Sequence, residues 1–312
     1  MRIMKSYRRL KKQKSKQTRT KSSRREKGNT RNSIQANNLR EQQEKHYMTP
    51  HHKLGDTGID VSIIGLGTVK FGRNQGVKYP SAFDLPSDTE MAHLLDHAKQ
   101  LGVNFLDTAP AYGTSEERLG RWLKQTGGRA DWVIASKFGE TFVDGVSLFD
   151  FSREAAWRSI DESLRRLQTD YLDLVLVHSN GDDVDIINKH KVFDTLAALK
   201  KSGKIRAFGM STKTVEGGFL AVENSDVVMV TYNPLETEEQ AVIAHAHKLG
   251  KGVLIKKALA SGHINNISKE GNPVEKSIRF IMDQPGVSSI VIGTLNPQHL
   301  EEVVRYACVL SP

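Results

Sequence analysis

The sequence predicts an α/β fold, a (β/α)8 TIM barrel entered through an N-terminal β-hairpin and preceded by a disordered basic tail. Three observations carry this. From about His52 onward, strand-length apolar runs alternate with helix-length amphipathic ones. The apolar runs number eight in about 260 residues, the count and length of such a barrel. A doubly wound open sheet is the alternative, and the first strand argues against it: Gly65-Leu66-Gly67 lacks the third glycine of a dinucleotide-binding turn.

Taken in order, Leu54-Gly55-Asp56-Thr57-Gly58 supplies the turn of the hairpin, which runs into a first buried strand at 62–67. Further strands are expected at 103–106, 132–136, 171–177, 205–210, 227–231, 252–256 and 289–292. The clearest helix runs from Ser152, a suitable N-cap, to Leu167, with Trp157, Ile160, Leu164 and Leu167 recurring on one face. Gly102, Gly203 and Gly250 each follow a helical stretch and precede a strand, where a helix needs a residue tolerant of positive φ. Glu116 and Glu117 favour the start of another helix. Trp122, Trp132 and Trp157 read as packing residues.

The net charge of +9 divides unevenly. Residues 1–48 hold sixteen Lys and Arg against three acids, a net +13, so the rest of the chain is at −4. Residues 49–312 are therefore read as the barrel, mildly acidic and without electrostatic support for nucleic-acid binding. The segment 1–48 has too little apolar surface to offset its ordering entropy. It is read first as sequence ahead of a start at Met48, then as a transit peptide or as an arm for nucleic acid or a membrane surface. No apolar run is long enough to span a bilayer. The single cysteine, Cys308, excludes an internal disulfide and points to a cytoplasmic protein. No metal-ligand spacing is present, and nothing specifies an oligomeric state.

The chemistry lies at the carboxyl ends of the strands: Asp107, Lys137, His178, Ser211, Thr231, Lys256 and Gly293-Thr294. Strand ends meet solvent, which accounts for Ser211 or Thr231 alone. Gathering Asp107, Lys137 and His178 at one barrel mouth is costly unless they pair, and so points to function.

Together with these positions, Asp107 to Gly113, Ala135-Ser136-Lys137, the run from Ser163 to His178, Gly203 to Ser211, and Gly293 to Leu300 resemble the aldo-keto reductase superfamily, in order, over residues 52–307. The resemblance implies hydride transfer from a nicotinamide cofactor to a small carbonyl substrate. It implies a catalytic tetrad of Asp107, Tyr112, Lys137 and His178. Tyr112 would act as general acid, its pKa lowered by Lys137, while Asp107 fixes Lys137 and His178 donates to the substrate oxygen. The cofactor residues implied are Ser211, Thr212, Lys256, Gly293, Thr294, Asn296, His299 and Glu302.

Departures stand beside these matches. Thr212 replaces the usual Asn, Met229 the usual Gln, and Lys256 the aromatic that stacks on nicotinamide. Gly293 and His299 stand where many members that prefer NADPH carry Lys and Arg. NADP is the cofactor expected, with NADPH by family default and NADH as the alternative. The competing function is an NADP-binding regulatory or sensor barrel with little turnover. Phe71, Tyr79, Phe83 and Phe142 are expected to line the substrate pocket.

Overall fold

A computed structural model describes residues 47–268 and 270–310; the expected basic tail, up to residue 46, lies outside the described residues. The first elements are the antiparallel strands β1 (His51–Lys53) and β2 (Asp60–Ser62), which form the expected hairpin. Eight parallel strands then close a barrel: β3 (Ile64–Gly67), β4 (Phe105–Asp107), β5 (Val133–Phe138), β8 (Leu172–His178), β9 (Ile205–Ser211), β10 (Val227–Thr231), β11 (Gly252–Lys256) and β12 (Ser289–Ile292). The ring closes where β12 pairs with β3, Ile290 opposite Ile64 and Ile292 opposite Leu66.

Helices link the strands in turn. A short α1 (Val69–Gly72) and α2 (Asp88–Gln100) follow β3, and α3 (Ser115–Thr126) follows β4. Then come α4 (Arg153–Leu167), α5 (Asp183–Asn188), α6 (Val192–Lys201) and α7 (Val215–Asn224). The last three are α8 (Gln240–Lys248), α9 (Pro273–Met282) and α10 (Pro297–Leu310). Ser152 caps α4 as expected, its side chain accepting from the Ala155 amide. Among the described residues, no helix is long and apolar enough to cross a membrane.

Two apolar clusters follow from the alternation of side chains along a strand. One fills the barrel and includes Phe105, Ala135, Leu174, Leu176, Ala207, Val227, Met229 and Leu254, with Leu54, Ile59 and Val61 of the hairpin region packed into it. The other, with Leu106, Ile134, Val175 and Val177, lies between the strands and the helices. Gly65 leaves room for the ring of Phe105, which a Cβ there would meet at 2.4 Å.

A further element, absent from the strands expected from the sequence, follows β5. Strands β6 (Glu140–Val143) and β7 (Val146–Phe149) form a second antiparallel hairpin. Its turn residues, Asp144 and Gly145, both have positive φ, as the tight hairpin turn requires.

Candidate active site

Stepping by two from the barrel-filling residues leads to the mouth of the barrel. Phe105 leads to Asp107, Ala135 to Lys137, Leu176 to His178, Met229 to Thr231 and Leu254 to Lys256. Ala207 leads through Gly209 to Ser211. The pleat that fills the core thus aims the polar strand ends into one space. That space is a cavity of about 1170 Å³, lined by all four tetrad residues together with Ser211, Lys256, Gly293, Thr294, His299 and Glu302.

Lys137 is the hub of the acid-base cluster and is only 1% exposed. Its Nζ donates to Asp107 Oδ1 at 2.6 Å, to the Thr108 carbonyl at 2.9 Å and to the Tyr112 hydroxyl at 3.1 Å. The Tyr112 hydroxyl in turn lies 3.4 Å from Asp107 Oδ2. Tyr112 ends a 3-10 turn, and the following Gly113 has φ +60. A Cβ at Gly113 would meet the Gly72 carbonyl oxygen at 2.1 Å, so the chain can carry Tyr112 to this place only with glycine behind it.

The phenol is not tuned as expected. Burial, and after it the charge of Asp107, push the Tyr112 pKa well above its ordinary value.

His178 has a partner that the sequence reading missed. Its Nδ1 stands 2.9 Å from Oε2 of Glu140, the first residue of the β6–β7 hairpin. Ser147 across the hairpin donates to Glu140 Oε1 at 2.6 Å, and Arg73 Nη1 lies 3.6 Å from the same oxygen. Burial raises the Glu140 pKa, but His178, Ser147 and Arg73 outweigh it and bring it down to about 2. Burial is also the main influence on His178 and holds its pKa below the usual imidazole value, with Lys137 and Lys256 acting the same way against Glu140.

Across the mouth, Lys256 Nζ donates to Ser211 Oγ at 2.9 Å and to the Thr212 carbonyl. Burial lowers its pKa to about 8. The other expected cofactor residues separate into two groups. Gly293, Thr294, His299 and Glu302 line the cavity, Glu302 accepting from Asn272 Nδ2 at 2.9 Å. Thr212 and Asn296 are not among the lining residues. Thr212, one step out of register with Ser211, is wholly buried and its hydroxyl donates to Glu239 at 2.8 Å. Asn296 caps the approach to α10, its Oδ1 accepting from the Gln298 amide at 2.8 Å.

Of the four aromatics expected in the pocket, Tyr79 lines it. Phe71 is a correction: it is fully buried in the core, because α1 folds it inward. Phe83 packs edge-on against Tyr79, and Phe142 stacks under the Arg73 guanidinium at 3.5 Å. Glu116 does lie in the first turn of α3, but it is buried and accepts from Ser136 Oγ at 2.6 Å. Asp173 serves as a brace, accepting from Arg129, Arg206 and the Ile134 amide at 2.6–2.9 Å. Trp122 and Trp132 are core residues in edge-to-face contact.

Comparison with known proteins agrees with this architecture. A family model described as the aldo/keto reductase family matches residues 63–277. The aldo-keto reductase YhdN of Bacillus subtilis is 28% identical, the match covering 80% of this chain and 86% of that protein. The aldo-keto reductase str7 of Strobilurus tenacellus is 31% identical, over 72% of this chain and 66% of its own. A solved structure from Pseudomonas aeruginosa assigned to the aldo-keto reductases is 50% identical with a TM-score of 0.75, covering 83% of this chain and 95% of that one.

Proposed function

The chain belongs to the aldo/keto reductase family, and on that premise we propose that it reduces an aldehyde or ketone to an alcohol with NADPH. The observation that carries the reading is Lys137, whose Nζ reaches both Asp107 Oδ1 and the Tyr112 hydroxyl at the cavity wall. The nicotinamide cofactor, when bound, supplies the hydride. Residues 49–312 are taken as the functional body, acting on a small carbonyl compound in the cytoplasm.

Tyr112 is the proton donor. A phenol held above its ordinary pKa keeps its proton across the working pH range, yet it remains far more acidic than the alcohol being formed. Transfer therefore runs from Tyr112 to the substrate oxygen as negative charge develops there. The Lys137 ammonium, already aimed at the phenol oxygen, stabilises the charge left behind. Asp107 keeps that ammonium in place.

The cavity suits a nicotinamide dinucleotide. Its wall provides hydroxyls at Ser211 and Thr294 and the half-buried Lys256, with Lys213 and Lys257 nearby on the lining. These cations favour a phosphate-rich ligand and, with the family default, support NADPH over NADH. The test is cofactor oxidation with an activated aromatic aldehyde, NADPH and NADH run side by side, with Tyr112→Phe as control. Turnover in the wild type that is lost in the variant supports the reading. NADPH binding without turnover would favour the regulatory alternative.

A further inference from the structure

We propose that Lys70 and the Tyr79 hydroxyl form a seat for a carboxylate of the substrate, so that the site prefers aldehydes that carry an acid group at their far end. The inference rests on the reductase reading and names the substrate class of that same site.

The seat begins with a cation that has nothing to neutralise it. Lys70 lies in α1, three residues past the end of β3, and lines the cavity half-buried. Its Nζ rests 4.1 Å from the centre of the Tyr79 ring and 5.1 Å from that of Phe83. Among the described residues it has no ion pair and no hydrogen bond. The other cations of the wall that are at least half-buried have polar partners: Arg73 faces Glu140, Lys137 faces Asp107, and Lys256 donates to Ser211. Ring faces attract an ammonium but do not replace its hydration, so burial draws the Lys70 pKa down. An anion beside it supplies what the rings lack.

A second donor stands next to it. Tyr79 also lines the cavity, and its hydroxyl has no hydrogen-bond partner among the described residues. Burial pushes its pKa up to about 12, so the hydroxyl keeps its proton and donates. The chain makes room for it with Gly293, where a Cβ would meet the Tyr79 oxygen at 3.0 Å. An ammonium and a phenol hydroxyl on one wall, both without an acceptor, match the two oxygens of a carboxylate.

Strand register sets the distance from the reacting carbonyl. Gly67 pairs with Asp107, and Ile292 with Leu66, so Gly293 comes level with Gly67. The Tyr79 hydroxyl beside Gly293 is therefore two strand spacings, about 10 Å, from the strand end that bears Asp107. Tyr112 shares that strand end, its hydroxyl 3.4 Å from Asp107 Oδ2. A carbonyl on Tyr112 and a carboxylate on Lys70 thus belong to opposite ends of one substrate, not to adjacent carbons. Val69, Phe149 and Val291 add apolar surface to the same cavity, which suits a hydrocarbon spacer.

The test compares 4-carboxybenzaldehyde with 4-nitrobenzaldehyde, whose nitro group has the shape of a carboxylate without its charge, using NADPH. Setting each variant's carboxy-to-nitro ratio of kcat/KM against that of the wild type cancels the intrinsic reactivity of the two aldehydes. The ratio should fall on the order of ten-fold in Lys70→Met and about three-fold in Tyr79→Phe, and hold in Lys70→Arg. 4-Carboxybenzaldehyde should also be a better substrate than its 2-carboxy isomer. Calorimetric titration of the full chain with 4-(hydroxymethyl)benzoate in the presence of NADP+ reads the seat without turnover. That binding should weaken by about ten-fold in Lys70→Met. A ratio unchanged in both Lys70→Met and Tyr79→Phe, or a preference for the 2-carboxy isomer, overturns the inference. So does a loss of NADPH affinity in Lys70→Met with the ratio intact, which would give the seat to a cofactor phosphate. If neither aldehyde is reduced, the reductase reading fails, and the titration alone then decides the seat.

Discussion

The two sides of the barrel mouth hold a lysine in opposite ways, Lys137 buried and Lys256 half-buried. On the β4–β5 side, Lys137 is matched by a carboxylate at 2.6 Å and a phenol at 3.1 Å. On the β9–β11 side, Lys256 rests on a serine hydroxyl and a backbone carbonyl, and no ion pair with it is found among the described residues. The nearby acid Glu239 is engaged by Thr212 and the Thr231 amide. Burial lowers the Lys256 pKa to about 8. One side is complete before any ligand arrives. The other keeps a cation whose desolvation is offset only when something anionic or strongly polar settles beside it.

Making the same substitution on each side is the sharpest way to break this comparison. Lys137→Met strands Asp107 as a buried, unpaired charge. It should cost roughly 3–5 kcal/mol in chemical denaturation, the scale for a broken buried pair, along with activity. Tyr112→Phe should leave stability nearly unchanged while lowering kcat/KM by about 10²- to 10⁴-fold in the aldehyde assay.

Lys256→Met, by contrast, should fold well and weaken NADPH binding by roughly ten-fold, the scale of one charge-assisted bond, as read by cofactor fluorescence. Equal damage from the two Lys→Met variants would erase the distinction drawn between the two sides.

A smaller effect sharpens it. The folded pKa of Lys256, about 8, lies below the ordinary lysine value of 10.5 that the unfolded chain retains. Below pH 8 both states are charged and the folded state bears the full cost of burial. Between about 8 and 10.5 the unfolded state binds more protons, so stability rises with pH. At pH 7 Lys256→Met should therefore melt higher than the wild type, with the gap narrowing as pH climbs past 8. A gap independent of pH would mean that Lys256 is not held as described.

Much of the fold was legible because the strands are short, apolar and punctuated, and the predicted strands at 227–231, 252–256 and 289–292 coincide with β10, β11 and β12. Asp107, Lys137 and His178 were legible as the carboxyl ends of strands, whereas Tyr112, in the turn after β4, was reached only through the family resemblance. Thr212 shows what strand ends alone do not reveal. It adjoins Ser211 in sequence, but a step of one turns its hydroxyl out of the barrel toward Glu239. Glu140 was missed although a signal existed: Asp144-Gly145 between the alternating segments 140–143 and 146–149 is a hairpin signature. The direction of the Tyr112 shift was not accessible. It depends on how completely the phenol is buried and on the Asp107 charge beside it, and neither is written in spacing.

The closure of β12 onto β3 has a counterpart outside the sheet. Cys308, near the end of α10, donates its thiol to the Met48 carbonyl at 3.0 Å. Thr49 is bonded to Leu101, just ahead of β4, so this meeting point lies at the foot of the barrel, opposite the cavity. The last helix thus returns to the segment that leads into the first hairpin. In a chain trimmed to residues 48–310 the backbone could be joined there by a short bridge and opened at a helix-to-strand loop on the same face, giving a circular permutant that keeps every strand neighbour. Where the linear chain is cut is, for this barrel, a matter of genetics more than of mechanics.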